Sequence, residues 1–388
     1  MRPPGAQRRG ASRKRGGPIN RRDIFAGVMS GTSLDGIDAV LADFTQGTAT
    51  CTLLASTHIA FPAELRRELL ALQAAAADEI VRAARAANRL ADLYAHALRS
   101  VCLAAGLAAH EVVAAGVHGQ TIRHRPREGW TVQINSPARV AELACMTIVA
   151  DFRMRDIAAG GQGAPLVPAF HAAMFATADE HRVIANIGGI ANVTDLPPGG
   201  TVLGFDTGPG NVFLDMWSGH HRSLPFDAGG AWAATGTVDG DLLSLLLAEP
   251  YFALAPPKST GRDLLDAQWL EQRLAAAGWQ RRPEDVQATL SALTARTLAD
   301  GIRAHCTGAQ HLLVCGGGAK NATLMAMLAA EMPDVRVAAT DSVGVASDHV
   351  EALAFAWLAR ETLAGRPGNL PAVTGASGPR VLGAIYPR

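Results

Sequence analysis

Residues 27–38 read GVMSGTSLDGID, and their types suit the binding of an anion. A small-residue turn between two strands aims main-chain N–H groups and the hydroxyls of Thr32 and Ser33 at negative charge, while Gly31 and Gly36 let a ligand approach the backbone. Leu34 and Ile37 are the apolar members of the segment. Asp35 and Asp38 add carboxylates that could hold Mg²⁺ directly or through water. A tight hairpin without a ligand would use the same glycines. A second segment, GFDTGPGN at 204–211, follows a strand-like stretch at 201–203. It sets the carboxylate of Asp206 at a strand end, before a turn built on Gly208 and Gly210. The plain alternative is an aspartate that caps the next helix. Taken together, the two segments make the jaws of a phosphate clamp, one per domain. A third segment, LLVCGGGAKN at 312–321, runs a strand into Gly316, Gly317 and Gly318, a flat backbone surface on which an adenine or ribose can lie. A simple strand-to-helix turn reads the same way. Neither G-x-x-x-x-G-K-[ST] nor G-x-G-x-x-G occurs, so P-loop and Rossmann readings lose their main support.

Other polar groups cluster among glycines: His118 to Thr121 with Gln120, Asp151 to Asp156 with Arg153 and Arg155, Gly160 to Gly163 with Gln162, and Lys258 to Arg262. Each fits a solvated loop. A cation among them would also suit an anionic substrate, by Coulomb attraction and hydrogen bonding.

These segments need strands and helices to hold them. Residues 24–29 and 37–42 read as two strands around the first turn, and residues 182–187 and 190–196 repeat the pattern around Gly188 and Gly189. A glycine-turn hairpin opening each half of the chain suggests two similar domains facing one another. Spacing near 3.6 predicts one or two helices over 63–107, and further helices at 165–175, 263–277, 283–305, 321–332 and 349–364. Short buried strands are expected at 112–117, 147–150 and 312–315. Strands alternating with helices define an α/β class. The Gly/Pro-rich end, from Pro367, is expected to wind over the surface.

Composition sets the limits. The 388 residues are 48% apolar and 18% charged, enough for two domains that each bury a core around a shared cleft. Lys+Arg and Asp+Glu balance at 35 each, which gives no overall pull toward nucleic acid or membrane. The first 23 residues depart from this: eight Arg and Lys side chains stand against Asp23, among Gly and Pro. That stretch reads as a disordered extension with no signal-peptide apolar region. A nucleic-acid contact there would be strongly salt-dependent. Five scattered cysteines without a C-x-x-C pair, and no H-E-x-x-H, point to a reduced cytoplasmic protein with no disulfide frame or zinc site. Apolar runs fall well short of a membrane span.

The order hairpin, strand-Asp-glycine turn, strand-Gly-Gly-Gly resembles the actin-like ATPase superfamily of sugar kinases. The strings GVMSGTSLDGID, HGQTIRH, DFRMRDIAAGGQGAPLVPAFH, NIGGIAN, GFDTGPGN, PPKSTGRD, VCGGGAKN and EALAFAWLA are similar to the anhydro-N-acetylmuramic acid kinase family, in its order, from about residue 24 to 386. The resemblance implies two actin-like (ribonuclease H-like) α/β domains around an interdomain cleft, here 24–150 and 151–365, with 366–388 packing back on the first. It implies a kinase that takes ATP, Mg²⁺, water and 1,6-anhydro-N-acetylmuramic acid, and a homodimer is compatible with it. By matching motif, Gly31, Thr32, Ser33, Leu34, Asp35, Gly36, Ile37 and Asp38 would meet the ATP phosphates with Gly208 and Gly210. Gly316 to Gly318 would lie along the nucleoside, and Asp206 would be the catalytic base. Gln120, Arg153, Arg155, Gln162, Lys258, Arg262 and Glu351 are the candidates for the sugar. A kinase for another sugar or small acid on the same fold is the competing reading, and the substrate-side strings argue against it.

Overall fold

The structure, a computed structural model, describes residues 23–31, 34–45, 51–260, 264–278 and 281–388. The basic stretch 1–22, and Thr32, Ser33 and Arg262 among the expected site residues, lie outside the described residues.

Strands β1 (Ile24–Met29), β2 (Gly36–Asp43), β3 (Thr52–Ala60) and β4 (Ala114–Val117) come first, then a separate hairpin of β5 (Gln120–Arg125) and β6 (Trp130–Ile134), then β7 (Ile148–Ala150). The second half supplies β8 (Arg182–Ile187), β9 (Ile190–Leu196), β10 (Leu203–Pro209), β11 (His311–Cys315) and β12 (Arg336–Ala339), and the chain ends with β13 (Ala384–Tyr386). Two sheets result, in the orders β13-β7-β4-β1-β2-β3 and β10-β9-β8-β11-β12. In each, an antiparallel three-strand meander is extended by two parallel strands, β4 and β7 beside β1, β11 and β12 beside β8. The glycine-turn repeat seen in the sequence is therefore a repeat of topology: two ribonuclease H-like α/β units. β1, β4, β8 and β11 are buried throughout or nearly so, which explains their unbroken apolar runs.

Helices α1 (Ala63–Ala71), α2 (Glu79–Ala105) and α3 (Pro137–Ala144) cover one side of the first sheet, followed by the short α4 (Met154–Ala158) and α5 (Val167–Phe175). Helices α6 (Val212–Arg222), α7 (Gly240–Leu247) and α8 (Ala267–Ala276) build a small lobe against the start of α9 (Pro283–His305), with Trp269 stacked on Phe213 at 5.1 Å. Beyond it α9 and α10 (Ala322–Glu331) cover the outer face of the second sheet. Helix α11 (Val350–Leu363) lies between the sheets, with α5 beside it and α12 (Pro371–Thr374) following it in the chain. Its segment Ala352–Ala359 is buried on every side, so a helix without a polar face is what this position demands. Although it follows the second unit in sequence, α11 rests mainly on β1, β4 and β2 of the first. It approaches so closely that a Cβ on Gly27 would stand 1.9 Å from the Ala352 carbonyl oxygen. Burying Phe355 and Leu358 there contributes about 1.5–3 kcal/mol each.

Two expectations need correction. The strand around Asp206 does not stop at residue 203: β10 runs through Asp-Thr-Gly-Pro to Pro209, with a bulge at Thr207, between Asp206 and Gly208. Asp206 therefore sits within a strand, and the cap position of α6 belongs to Asn211. The eighth helix starts at Ala267 rather than 263, because Asp266 accepts the Trp269 N–H as its cap.

Candidate active site

The sheets and α11 leave a cleft of about 580 Å³. On its first wall the β1–β2 turn presents Gly31, Asp35, Gly36 and Asp38. The turn is fastened from below. Gln120 donates through Nε2 to the Gly31 carbonyl at 3.1 Å, Ser30 Oγ meets Tyr94 Oη at 2.8 Å, and Leu34, at φ 59°, is buried in the first core with Ile37. His58 on β3 lies over Gly36, where a Cβ would come within 2.8 Å of its ring, and its Nδ1 is 2.8 Å from Asp38 Oδ1.

On the opposite wall two glycine turns are tied together. Gly210 and Asn211 donate main-chain N–H groups to the carbonyls of Gly189 (2.9 Å) and Gly188 (2.7 Å). Gly316, at φ 79°, approaches Asn186 so closely that a Cβ would be 2.5 Å from Oδ1. Gly188, Gly189, Asn211, Gly316 and Gly317 line the cleft, with Lys320 paired to Asp348 at its edge. Phe226 and Asp227 close it from the small lobe, and Asp227 is fixed by the N–H groups of Trp232 and Ala233, both at 2.9 Å. Gly208, Gly210 and Gly318 are not among the residues that line the cleft, and a Cβ on them would press on Phe252 and Thr297, the Gly188 carbonyl, or Ile187 respectively.

Glu351, at the start of α11, forms part of the floor beside Asn186. Burial pushes its carboxyl up, against the pull of the Arg153 guanidinium. Arg153 donates to His118 Nε2 through Nε (3.1 Å) and Nη2 (2.9 Å) and to the Gly163 carbonyl through Nη1 (2.7 Å). Burial, with Arg153 beside it, holds His118 well below the ordinary imidazole range, so it is neutral and accepts that bond. Asp156, fully buried, fixes the other side of the Gly160–Gly163 loop by accepting Gly163 N–H at 2.8 Å. Arg155 and Gln162 are exposed.

Asp206 is joined to this floor by one row of the second sheet. It pairs with Asn192, which pairs with Asn186. Directly opposed residues share a face, and strands lie ~4.8 Å apart, so Asp206 stands about 10 Å from Asn186 along the sheet. Burial raises its carboxyl to about 6, against the Thr260 N–H that donates to Oδ2 at 3.0 Å and the nearby Lys258. Lys258 in turn donates to the Phe252 carbonyl at 3.0 Å and lies over the Tyr251 ring, 4.9 Å from its centroid. Burial pulls it below the usual lysine range.

The sequence reading missed His58, Asn186, Asn192, Asn211, Phe226, Asp227 and Lys320. Four of these lay in strings already singled out: NIGGIAN, GFDTGPGN and VCGGGAKN. Nothing local marked His58 or Phe226.

A cleft between two ribonuclease H-like units, walled by glycine turns and floored by carboxylates, defines a nucleotide-dependent phosphotransferase. The family profile of anhydro-N-acetylmuramic acid kinase matches residues 23–388, and the chain belongs to that family. It is 53% identical over 370 residues to the anhydro-N-acetylmuramic acid kinase of Thiobacillus denitrificans, covering 95% of this chain and 99% of the relative. With the Bordetella petrii protein of the same name it shares 55% over 366 residues, covering 94% and 96%. Among solved structures, the activator of the 2-hydroxyisocaproyl-CoA dehydratase from Clostridium difficile with bound ADPNP is 14% identical, with a TM-score of 0.44 over 87% of this chain and 94% of that one. Among the described residues no helix is long and apolar enough to cross a membrane.

Proposed function

We propose that this kinase converts 1,6-anhydro-N-acetylmuramic acid, ATP and water to N-acetylmuramic acid 6-phosphate and ADP, in the cytoplasmic recycling of peptidoglycan. One observation carries the reading: the family match spans 23–388 and so takes in both the glycine turns of the cleft and Asp206. The units 24–150 and 151–365 form the two jaws in this reading, with 366–388 returning to the first, and the active species is a homodimer.

In this reading the nucleotide lies between the turns at Gly31–Asp38 and Gly188–Gly189, its nucleoside along Gly316 and Gly317. The sugar bridges from the γ-phosphate to Asp206 across Asn186 and Asn192. Asp206, raised to about 6, is ionised at neutral pH yet more basic than a free aspartate. It takes a proton from water as the water oxygen bonds to C1. The C1–O6 bond breaks, and its electron pair goes to O6. O6 bonds to the γ-phosphorus while the bond from phosphorus to the β,γ-bridging oxygen breaks, and ADP leaves with that pair. The phosphoryl group replaces the proton that a glycosidase acid would supply, so one carboxylate suffices. Lys258, near Asp206, and Arg153, whose charge acts on Glu351, are the cations this reading carries forward for the substrate carboxylate.

Mg²⁺ fits as an ion that enters with the nucleotide. Among the described residues no three His, Cys, Asp or Glu side chains form a cage, whereas Mg²⁺ at such sites takes one or two carboxylates with phosphate oxygens and water. Asp35, exposed on the β1–β2 turn, supplies one, directly or through water. When bound, the ion offsets charge on the phosphates.

The test is turnover in ¹⁸O-water with 1,6-anhydro-N-acetylmuramic acid, ATP and Mg²⁺, read by mass spectrometry. A 6-phosphate carrying the label at C1, and its loss in Asp206→Asn, is expected. A 6-phosphate without the label rules out hydrolytic opening, and no product from folded protein favours another sugar.

A further inference from the structure

The segment Lys258–Thr260 does more than carry a cation. Its main chain meets the strand of Asp206 twice: Asp206 N–H donates to the Lys258 carbonyl at 3.2 Å, and Thr260 N–H donates to Asp206 Oδ2 at 3.0 Å. A third bond, from Tyr251 Oη to the Asp206 carbonyl at 2.9 Å, holds the same strand position from the neighbouring turn. The carboxylate is thus fixed in one orientation, with Oδ2 occupied. Oδ1 carries no hydrogen bond among the described residues.

The Thr260 hydroxyl has a different status. Its Oγ1 is buried and makes no hydrogen bond among the described residues, although it belongs to the residue that binds the carboxylate. A buried hydroxyl without a partner is destabilising, and such a group is retained where something else completes it. A water held beside Asp206 would complete it. In the hydrolytic half of the reaction such a species is required. The attacking water gives one proton to the base, keeps the second in the product hydroxyl, and must hold a lone pair aimed at carbon, so a hydrogen-bond acceptor for the retained O–H would orient it.

We propose that Thr260 is a second catalytic residue for ring opening, whose hydroxyl accepts a hydrogen bond from the O–H that the water held by Asp206 retains, and so aims the water's lone pair at the anomeric carbon. The assignment rests on the reading of Asp206 as the base of an anhydro-sugar kinase. Its division of labour is specific. The main-chain N–H of Thr260 fixes the base, and its side chain fixes the nucleophile. Thr260→Val removes only the second, because the replacement is nearly isosteric and keeps the N–H.

The experiment measures steady-state kinetics of wild type, Thr260→Val and Thr260→Ser with 1,6-anhydro-N-acetylmuramic acid and ATP, beside thermal melting. Thr260→Val is expected to lose about 10- to 100-fold in kcat, the effect of one hydrogen bond to a reacting group, with both KM values within about twofold. Thr260→Ser is expected to recover most of the rate. Melting of Thr260→Val should be no lower than wild type, since the hydroxyl has no protein partner to lose. An unchanged kcat in Thr260→Val overturns the assignment. So does a raised sugar KM at constant kcat, which would put the hydroxyl on the sugar, or a Ser variant as slow as Val, which would make the methyl group the operative part. A wild type that does not turn over the anhydro-sugar overturns the reading of the reaction and this assignment with it, whereas an active wild type with an unaffected Thr260→Val overturns this assignment alone.

Discussion

A Cβ built on Gly116 would stand 2.0 Å from the carbonyl oxygen of Phe355, so α11 rests directly on the main chain of β4. The contact is backbone to backbone, and no rotamer change can relieve it. Gly116→Ala must push α11 away from the sheet, and α11 carries Glu351 at its start. We expect a loss of about 1–3 kcal/mol in chemical denaturation, the usual cost of overpacking, with a raised KM for substrate. Gly240→Ala, in the first turn of α7 with open space around it, is the control and should be neutral or slightly stabilising.

Two neighbouring glycines should behave in opposite ways. Gly316 has φ 79° and ψ −179°, a conformation nearly reserved for glycine, and a Cβ there would meet Asn186 Oδ1 at 2.5 Å. Gly317 has only Asn211 Nδ2 at 3.5 Å, an ordinary contact. Gly316→Ala should therefore cost about 1–3 kcal/mol in strain and weaken ADP binding about tenfold or more by calorimetry. Gly317→Ala should stay within about threefold of wild type. Equal losses would show that the nucleoside also presses on the Cα of Gly317, beyond lying along its main chain.

The turns of the site were legible because small residues, hydroxyls and acids in a short span have few other uses, and the repeated hairpin gave the two-unit plan. Other features were not legible, for physical reasons. Gly208 and Pro209 read as strand breakers, but the bulge after Asp206 lets β10 continue through them. The place of Gly210 in the chain did not show that its lack of a side chain also permits the close approach to the Gly188 carbonyl. The spacing over 349–364 read as a helix but did not say that 352–359 is buried on every side or which sheet buries it. Asp206 and Thr260 are 54 residues apart, and a hydrogen bond of that span leaves no local pattern.

Asp206 should set opposite trends in activity and stability with pH. Its folded value of about 6 lies above the unfolded one of about 3.9, so between those values the folded chain holds the proton more tightly. Stability from this group therefore falls as pH rises through the window, and the full cost, roughly 2–3 kcal/mol, stands above pH 6. In the proposed mechanism activity moves the other way, because Asp206 acts as a base only when ionised. The kcat/KM profile should show an acid limb near pH 6, and Asp206→Asn, though inactive, should melt above wild type at pH 8 and close to it at pH 4. A melting gap independent of pH would mean that the carboxylate is not the titrating group.

The last prediction concerns Asp156, whose fully buried carboxylate joins two distant parts of the chain. Oδ1 accepts Asn369 Nδ2 at 2.7 Å and Thr374 Oγ1 at 2.8 Å, and Oδ2 accepts the N–H of Gly163 at 2.8 Å. Gly161 lies so close that a Cβ would stand 2.2 Å from Oδ2, and Gln162 N–H donates to the Thr374 carbonyl at 2.7 Å. The segment after α11 thereby clamps the Gly160–Gly163 loop, which also receives Arg153. Asp156→Asn must turn an N–H toward at least one of three donors, and a buried clash of donors costs about 2–4 kcal/mol. If the loop serves the sugar, as the proposed function has it, the KM for the sugar should rise several-fold while the KM for ATP stays near wild type. Thr374→Val, which removes one donor and leaves the carboxylate, should show the same split in weaker form. If both KM values rise together in both variants, the clasp supports the fold as a whole and does not position the loop.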